Sequence, residues 1–444
     1  MTVLTGLLFG IWMAVALMLI ARLNAFRKSA FKTQSLIGLF FLKLVAGAAL
    51  IWVYSTIYPN RQTADIFKFY DDAVVINEAL TENPGAYIRI MSGIGDTSAA
   101  CLPYLERTHN WAPQSEQWLE YAQTGNYNYF LSNRLITRIH VILLPLSGGG
   151  IYTHLIFFNF LSLLGIVFFL NAFHVRNALP ALAFTLLPST LLWCSGLLKD
   201  NIVFTALCFL FGAWQHVKDD KSRLLHITLI ALSCLVLLYT KFYILAGVFV
   251  YLFVDALLWT LPKVKGWIIS LVLIISALLI LLSPLGQPIC NILSGKREEA
   301  LKAAVFGEAQ NQVFYHPIDP ELPRILAEIP VTLANSFFRP LPMETGKNPL
   351  VLLASLENIF ILGVLITTLL FAGRSLFQRK NTAWWFYILT LAFIIGFTSP
   401  VTGGLMRYKT AFISFLVWMI TSVFPANFQN ISSAKHLQKF LMWH

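Results

Sequence analysis

Apolar runs of about twenty residues recur along almost the whole chain, and no other feature constrains the fold as much, because a helix needs about that length to cross a bilayer's hydrocarbon. Eleven stretches satisfy the criterion: roughly 2 to 21, 35 to 58, 151 to 173, 178 to 197, 201 to 217, 224 to 240, 242 to 260, 267 to 283, 349 to 371, 383 to 400 and 408 to 424. Lipid is therefore the expected solvent, and the fold class an all-α integral membrane protein, one polytopic domain over residues 1–444. The balance of 57% hydrophobic against 12% charged residues lies outside the usual soluble range. A net charge of +11 would admit a nucleic-acid partner, but the basic residues sit in short clusters between apolar runs, which argues against one.

Those clusters orient the chain. Connections carrying Arg22/Arg27/Lys28/Lys32, Arg176, Lys218/Lys221/Arg223, Lys263/Lys265 and Arg374/Arg379/Lys380 alternate with connections poor in Lys and Arg, so the basic set is expected in the cytoplasm. The N-terminus and the two long segments 59–150 and 284–348 then face outward, and the tail with Lys435 and Lys439 faces inward. The first run has no basic leader and is followed by arginines and lysines, as a retained anchor would be. Leu135 to Leu146 is apolar but short and contains Arg138, His140 and Pro145, which reads as an interfacial helix rather than a span. Five cysteines show no metal-binding spacing; Cys208 and Cys234 lie in apolar runs, and Cys101 and Cys290, in the two outer segments, are candidates for a disulfide. No internal repeat or low-complexity tract is visible.

With this orientation, ionisable groups gather at the outer membrane surface: Asp65, Asp71, Asp72, Lys199, Asp200, Lys241, Arg339, Glu344, Arg407 and Lys409. Charges near hydrocarbon are costly and tend to line a cavity or a substrate path, although outer loops are polar in any case. In Thr63 to Ala73, the apolar residues Ile66, Phe69, Tyr70, Ala73 and Val74 fall at helical spacing, predicting an amphipathic helix along the membrane. Asp65 and Asp72 share a face of that helix, while Asp71 points away. Carboxylates there suit deprotonating an acceptor hydroxyl, or holding a divalent cation near a phosphate. Asp65 reads equally well as an N-cap, and Lys68 with Asp72 as an ordinary i,i+4 pair.

Three further motifs supply cations. In Leu187-Pro-Ser-Thr-Leu-Leu-Trp193-Cys-Ser195-Gly196-Leu-Leu-Lys199-Asp200, Pro188 breaks a helix, Ser195-Gly196 permits a turn, and Lys199 emerges where an ammonium can hold a lipid phosphate. Snorkelling, or pairing with Asp200, would also account for it. Lys241 occupies the only connection between two apolar runs. Phe337-Phe-Arg339-Pro-Leu-Pro-Met-Glu344 presents a guanidinium suited to bidentate phosphate contact or to an ion pair with Glu344, just before a run that contains Glu357 and Asn358. Gly403-Gly404-Leu-Met-Arg407-Tyr408-Lys409 adds two cations.

The aspartate-bearing segment from Asp65 to Asp72, the stretch Asn133-Arg134, the block from Pro188 to Asp200 and Phe338-Arg339-Pro-Leu-Pro-Met-Glu344 resemble, in order along most of the chain, bacterial multi-spanning GT-C-type membrane glycosyltransferases. The resemblance implies a polyprenyl-phosphate-linked sugar donor, a glycan or lipid acceptor in the cell envelope, and a bacterial inner-membrane location with an outward-facing site. It also implies an outer-segment aspartate as base of an inverting hexosyl transfer, a role that falls by position on Asp65, and Arg134 among the substrate-binding residues. Many members carry an Asp-Glu or Asp-x-Asp pair, whereas here Asp71-Asp72 form the pair and Asp65 stands before Ile66; an extra N-terminal run also precedes the segment. Two rivals stay open. An O-antigen-polymerase-like enzyme would rely more on arginines in large outer loops. A flippase or transporter would place ionisable groups at the bilayer midplane, to which only Glu357, Asp255 and Asn159 point.

Overall fold

The computed structural model describes residues 2–57, 61, 64–111, 133–219, 222–306, 312–314, 316–344 and 348–424. Thr63, Lys221, the tail lysines Lys435 and Lys439 and parts of both long segments fall outside these residues. All regular structure among the described residues is helical, apart from one isolated bridge between Gln312 and Val401. In chain order the principal helices are α1 (Val3–Arg22), α2 (Thr33–Ile57), α3 (Asp65–Glu82), α4 (Arg134–Ser147), α5 (Ile151–Ala172), α6 (Ala178–Leu186), α7 (Pro188–Trp193) and α8 (Lys199–Lys218). They continue with α9 (Arg223–Lys241), α10 (Ile244–Thr260), α11 (Gly266–Leu282), α12 (Gly286–Phe306), α13 (Leu322–Phe338), α14 (Pro349–Leu376), α15 (Thr382–Thr398) and α16 (Thr410–Ser422).

Among the described residues, six helical stretches are long and apolar enough to cross a membrane: Val3–Arg22, Thr33–Thr56, Ile151–Ala172, Arg223–Lys241, Pro349–Leu376 and Arg379–Thr398. A seventh arises if α11 and the helix after it, bent by 86°, count as one crossing. The chain is thus a membrane-embedded helical protein. The other expected spans take different forms. The 178–197 run is divided into α6 and α7, because Leu187 before Pro188 is driven out of the helical region (φ −56°, ψ 122°). The 242–260 and 408–424 runs appear as the shorter apolar helices α10 and α16, and the 201–217 run lies within the 20-residue α8, which begins and ends on charged residues.

The chain divides into two compact units, the first built from residues 1–174 and 192–242, the second mainly from 175–191 and 243–442. In the first unit, α3 lays Ile66, Phe67, Phe69, Tyr70, Ala73, Ile76 and Ala79 into the protein. The predicted amphipathic face is therefore present, although Val74 is exposed. The partner is α4, whose Ile136, Val141, Leu143 and Leu144 are buried in the same two clusters; each fully buried large side chain contributes roughly 1.5–3 kcal/mol. Gly148, left-handed at φ 56°, ends α4, and the turn through Gly149 and Gly150 leads directly into α5. In the second unit α10 packs on α15, and α6 and α15 pack on α16, with Tyr251, Trp384, Tyr387 and Phe415 forming edge and stacked ring pairs.

Candidate functional site

In the first unit two of the sequence-predicted residues, Asp72 and Lys199, stand at the ends of one continuous polar chain. Asp72, 1% exposed, receives four hydrogen bonds. The backbone N–H and ring Nδ1 of His109 reach Oδ1, both at 2.7 Å, and the backbone N–H and Nδ2 of Asn110 reach Oδ2 at 3.1 and 2.6 Å. Asn110 Oδ1 accepts from Asn133 Nδ2 at 2.8 Å, and Asn133 Oδ1 accepts from Lys199 Nζ at 2.8 Å. A carboxylate can only accept and an ammonium only donate, so the two ends fix the orientation of both amides between them. The hydrogen bond to Asp72 holds the His109 imidazole above its ordinary pKa of 6.5, against partial desolvation.

Lys199 is the first residue of α8, where the helix dipole favours anions. Asp200 follows that rule and Lys199 does not, so its ammonium is held there by the side chain of Asn133. Asp200 and Lys241, expected as separate ligands, are instead partners in a buried ion pair at 2.6 Å that joins the start of α8 to the end of α9. Each sits at the helix end its charge prefers. Arg134, also expected to bind substrate, is buried beside Asp96 (3.4 Å) with its guanidinium over the Trp111 ring, 4.8 Å from the centroid. Arg138 approaches the same carboxylate at 3.9 Å.

The three aspartates have different fates. Asp71 forms a bidentate pair with Arg61, at 2.8 Å on both arms, on the exposed side. Asp72 is consumed in anchoring the segment around His109 and Asn110. Asp65 is half-buried in the first turn of α3; the N-cap position is held by Ala64, which makes no side-chain cap, so Asp65 is the first helical residue and not the cap. Likewise Asp72 takes its partners from 109 and 110, not from Lys68. Among the described residues no group of three or more His, Cys, Asp or Glu is gathered as for a metal.

The turn that delivers Lys199 is secured by residues the sequence reading did not select. Where α7 ends, three successive carbonyls lose their helical partners. Lys43 Nζ from α2 donates to Cys194 O at 2.8 Å and to Ser195 Oγ at 3.0 Å, Asn159 Nδ2 from α5 donates to Ser195 O at 2.9 Å, and Asn201 Nδ2 donates to Gly196 O at 3.2 Å. Gly47 permits this approach, because a Cβ there would overlap the Ser195 carbonyl. A lone lysine inside an apolar run was the available signal. His109 and Asp96 carried no local signal.

The second unit holds the remaining candidates. Arg339 pairs with Glu344 (Nε to Oε1, 3.1 Å) and donates to Val313 O at 3.0 Å, the ion-pair alternative weighed from the sequence. Lys409 is fully buried, donating to Asn358 Oδ1 and, at 3.3 Å, to Arg339 O. Glu357 accepts from the Ser189 N–H through Oε2, while its buried Oε1 has no hydrogen-bond partner among the described residues. Arg407 is half-buried, and the next residue, Tyr408, meets Tyr243 edge-on. Cys101 and Cys290 are both buried free thiols. Compared with protein-family models, with curated proteins and with solved structures, the chain finds no match in any of the three.

Proposed function

We propose that this membrane protein is a GT-C-like glycosyltransferase, moving a sugar from a polyprenyl-phosphate donor to a glycan or lipid acceptor on the outer face of the bacterial inner membrane. The observation that carries this reading is the Asp72–Asn110–Asn133–Lys199 chain, which holds an ammonium in a defined place at the end of an apolar helix. An ammonium so placed suits the phosphate of a lipid whose tail remains in hydrocarbon. The positive-inside pattern supports placing this end outside, with α4 interfacial, α6 and α7 together making one broken crossing and eleven crossings in all.

In this reading Asp65 is the base. Asp72 is occupied by four N–H donors and Asp71 by Arg61, and the role falls on Asp65 by its position in the first turn of α3, where the segment follows α2. It takes the proton of the acceptor hydroxyl as that oxygen bonds to the anomeric carbon. The anomeric carbon–oxygen bond breaks with its electron pair passing to the phosphate, which departs as polyprenyl phosphate beside Lys199. Charge stabilisation at the phosphate is the larger contribution, with the base adding about 10²- to 10⁴-fold.

The test is transfer by purified protein from a panel of polyprenyl-phosphate and polyprenyl-diphosphate sugars. Transfer from the monophosphate donors is expected, abolished in Asp65→Asn and weakened in Lys199→Gln. Absence of transfer with every donor would overturn the reading. A second reading, a lipid or oligosaccharide transporter, has one observation in its favour: Glu357, within a span-length helix, is buried with one oxygen unengaged. Proteoliposomes that move a lipid-linked sugar between leaflets without transferring it, and lose that movement in Glu357→Gln, would support it instead.

A further inference from the structure

One nitrogen of the His109 imidazole is engaged and the other is not. Nδ1 lies 2.7 Å from Asp72 Oδ1, and since a carboxylate only accepts, Nδ1 carries the proton. The same oxygen takes the His109 backbone N–H, and Asn110 holds the other oxygen, so turning the ring breaks a bond to a fixed carboxylate. Among the described residues no hydrogen bond engages Nε2, which lies across the ring from the carboxylate. The imidazole is 28% exposed and the Asp72 carboxylate 1%. A buried aspartate that fixes the tautomer and direction of an accessible histidine equips Nε2 to pass protons.

The charged groups facing the ring suit it to that task. The hydrogen bond to Asp72 holds the imidazole above its ordinary pKa of 6.5; partial burial and Lys68 oppose the rise, and the charges of Asp72 and Asp71 add to it. A sizeable fraction is then imidazolium at neutral pH, with a second proton on Nε2. A phosphate monoester has its second pKa at about 6, so passing that proton to a departing phosphate is nearly balanced, as general acid catalysis requires. Position agrees. Asp65 and Asp72 share a face of α3 seven residues apart, about 10 Å along the helix, and His109 sits on Asp72. Inverting displacement at an anomeric carbon uses a base and an acid about 6.5–9.5 Å apart.

We infer that His109 is the general acid of the proposed transfer, with Asp72 as its positioning residue. This role rests on the transferase reading above and adds a second proton to it. While the acceptor oxygen bonds to the anomeric carbon and gives its proton to Asp65, the bond from that carbon to the phosphate oxygen breaks with its electron pair going to oxygen. That oxygen takes the Nε2 proton. Polyprenyl hydrogen phosphate leaves, and His109 stays neutral with Nδ1–H on Asp72. Asp65 then releases its proton to the outer water, which returns one to Nε2.

The rate of transfer against pH, measured on the purified full chain with a polyprenyl-phosphate sugar, tests the role. A general acid works protonated, so the rate is expected to fall as pH rises above 6.5 through the elevated His109 value. His109→Asn keeps an N–H₂ donor for Asp72 where Nδ1–H stood and places nothing at Nε2. Above that window it should melt near the wild type, yet transfer about a hundredfold more slowly at neutral pH, the low end for a general acid, with the alkaline fall gone. Diethyl pyrocarbonate, which acylates accessible neutral imidazoles, should modify His109 in the wild-type chain, and polyprenyl phosphate should protect it. A wild-type rate that rises with pH across the window would make His109 a base, and wild-type transfer by folded His109→Asn would leave it an anchor of its segment. Either result overturns the acid role, as does a His109 that the reagent never modifies or polyprenyl phosphate fails to protect, a readout that needs no variant to fold. All of these leave the transferase standing, whereas absence of transfer from every donor removes both.

Discussion

Among the three aspartates of α3, local sequence cannot separate the roles, because each lies within one turn of a cation or a helix start; the structure pairs Asp71 with Arg61 and Asp72 with the His109–Asn110 segment. The Asp65 assignment predicts that Asp65→Asn stays folded and loses transfer, while Asp71→Asn, which breaks only a solvent-exposed pair worth about 1 kcal/mol or less, keeps it. Side-by-side transfer rates and melting temperatures decide the matter, and full transfer by folded Asp65→Asn would remove it from the mechanism. Asp72 behaves differently. Asparagine there would turn an N–H₂ group towards donors, so Asp72→Asn should cost about 1–3 kcal/mol of stability. Because folding raises the His109 pKa, protonated His109 contributes stability fully below pH 6.5, and that contribution is lost as pH rises through the elevated folded value. Melting temperature measured across that window should fall with rising pH in the wild type and flatten in Asp72→Asn. The sequence put Asp72 on one helix face with Asp65 at the membrane surface, and did not foresee its burial. It could not supply His109, 37 positions away in a segment without periodicity.

At the scale of elements, what is written locally was legible: the helix break at Pro188, the Ser195-Gly196 turn, the apolar face of α3 and the interruption after Leu146 all follow from residue chemistry at the site itself. What depends on distant pairing was not. Lys241 and Asp200 read as two ligands because nothing near either residue announces the other, 41 positions away. The turn before α8 is the sharper example, since its three freed carbonyls draw donors from α2, α5 and α8. Lys43→Met should leave Cys194 O without its donor and lower stability by about 1–3 kcal/mol. If the turn positions Lys199, the same variant should also weaken binding of a short isoprenyl phosphate. A Lys43→Met protein with wild-type melting temperature and binding would show that the turn needs no staple.

For the whole molecule, hydropathy and Lys/Arg alternation made the membrane class legible, whereas the division into two compact units left no mark on composition, since both are equally apolar. Orientation is open to direct measurement. In a cysteine-free background, single cysteines at the exposed positions 61, 106 and 319 should react with an impermeant maleimide in intact cells, and those at 28, 263 and 378 only after permeabilisation. Labelling of 61 and 28 from one side would refute the scheme at α2. The staple at Lys43 also bears on how this protein is made. Its acceptors Cys194 and Ser195 lie 151 and 152 residues downstream. At 5–20 residues per second the ribosome needs roughly 8–30 s to reach them. Throughout that interval α2 carries a lysine that costs an isolated helix about 2.5–3.5 kcal/mol at mid-membrane. The nascent α2 must therefore wait at the translocon, or sit displaced towards the interface, until the turn before α8 emerges to receive it.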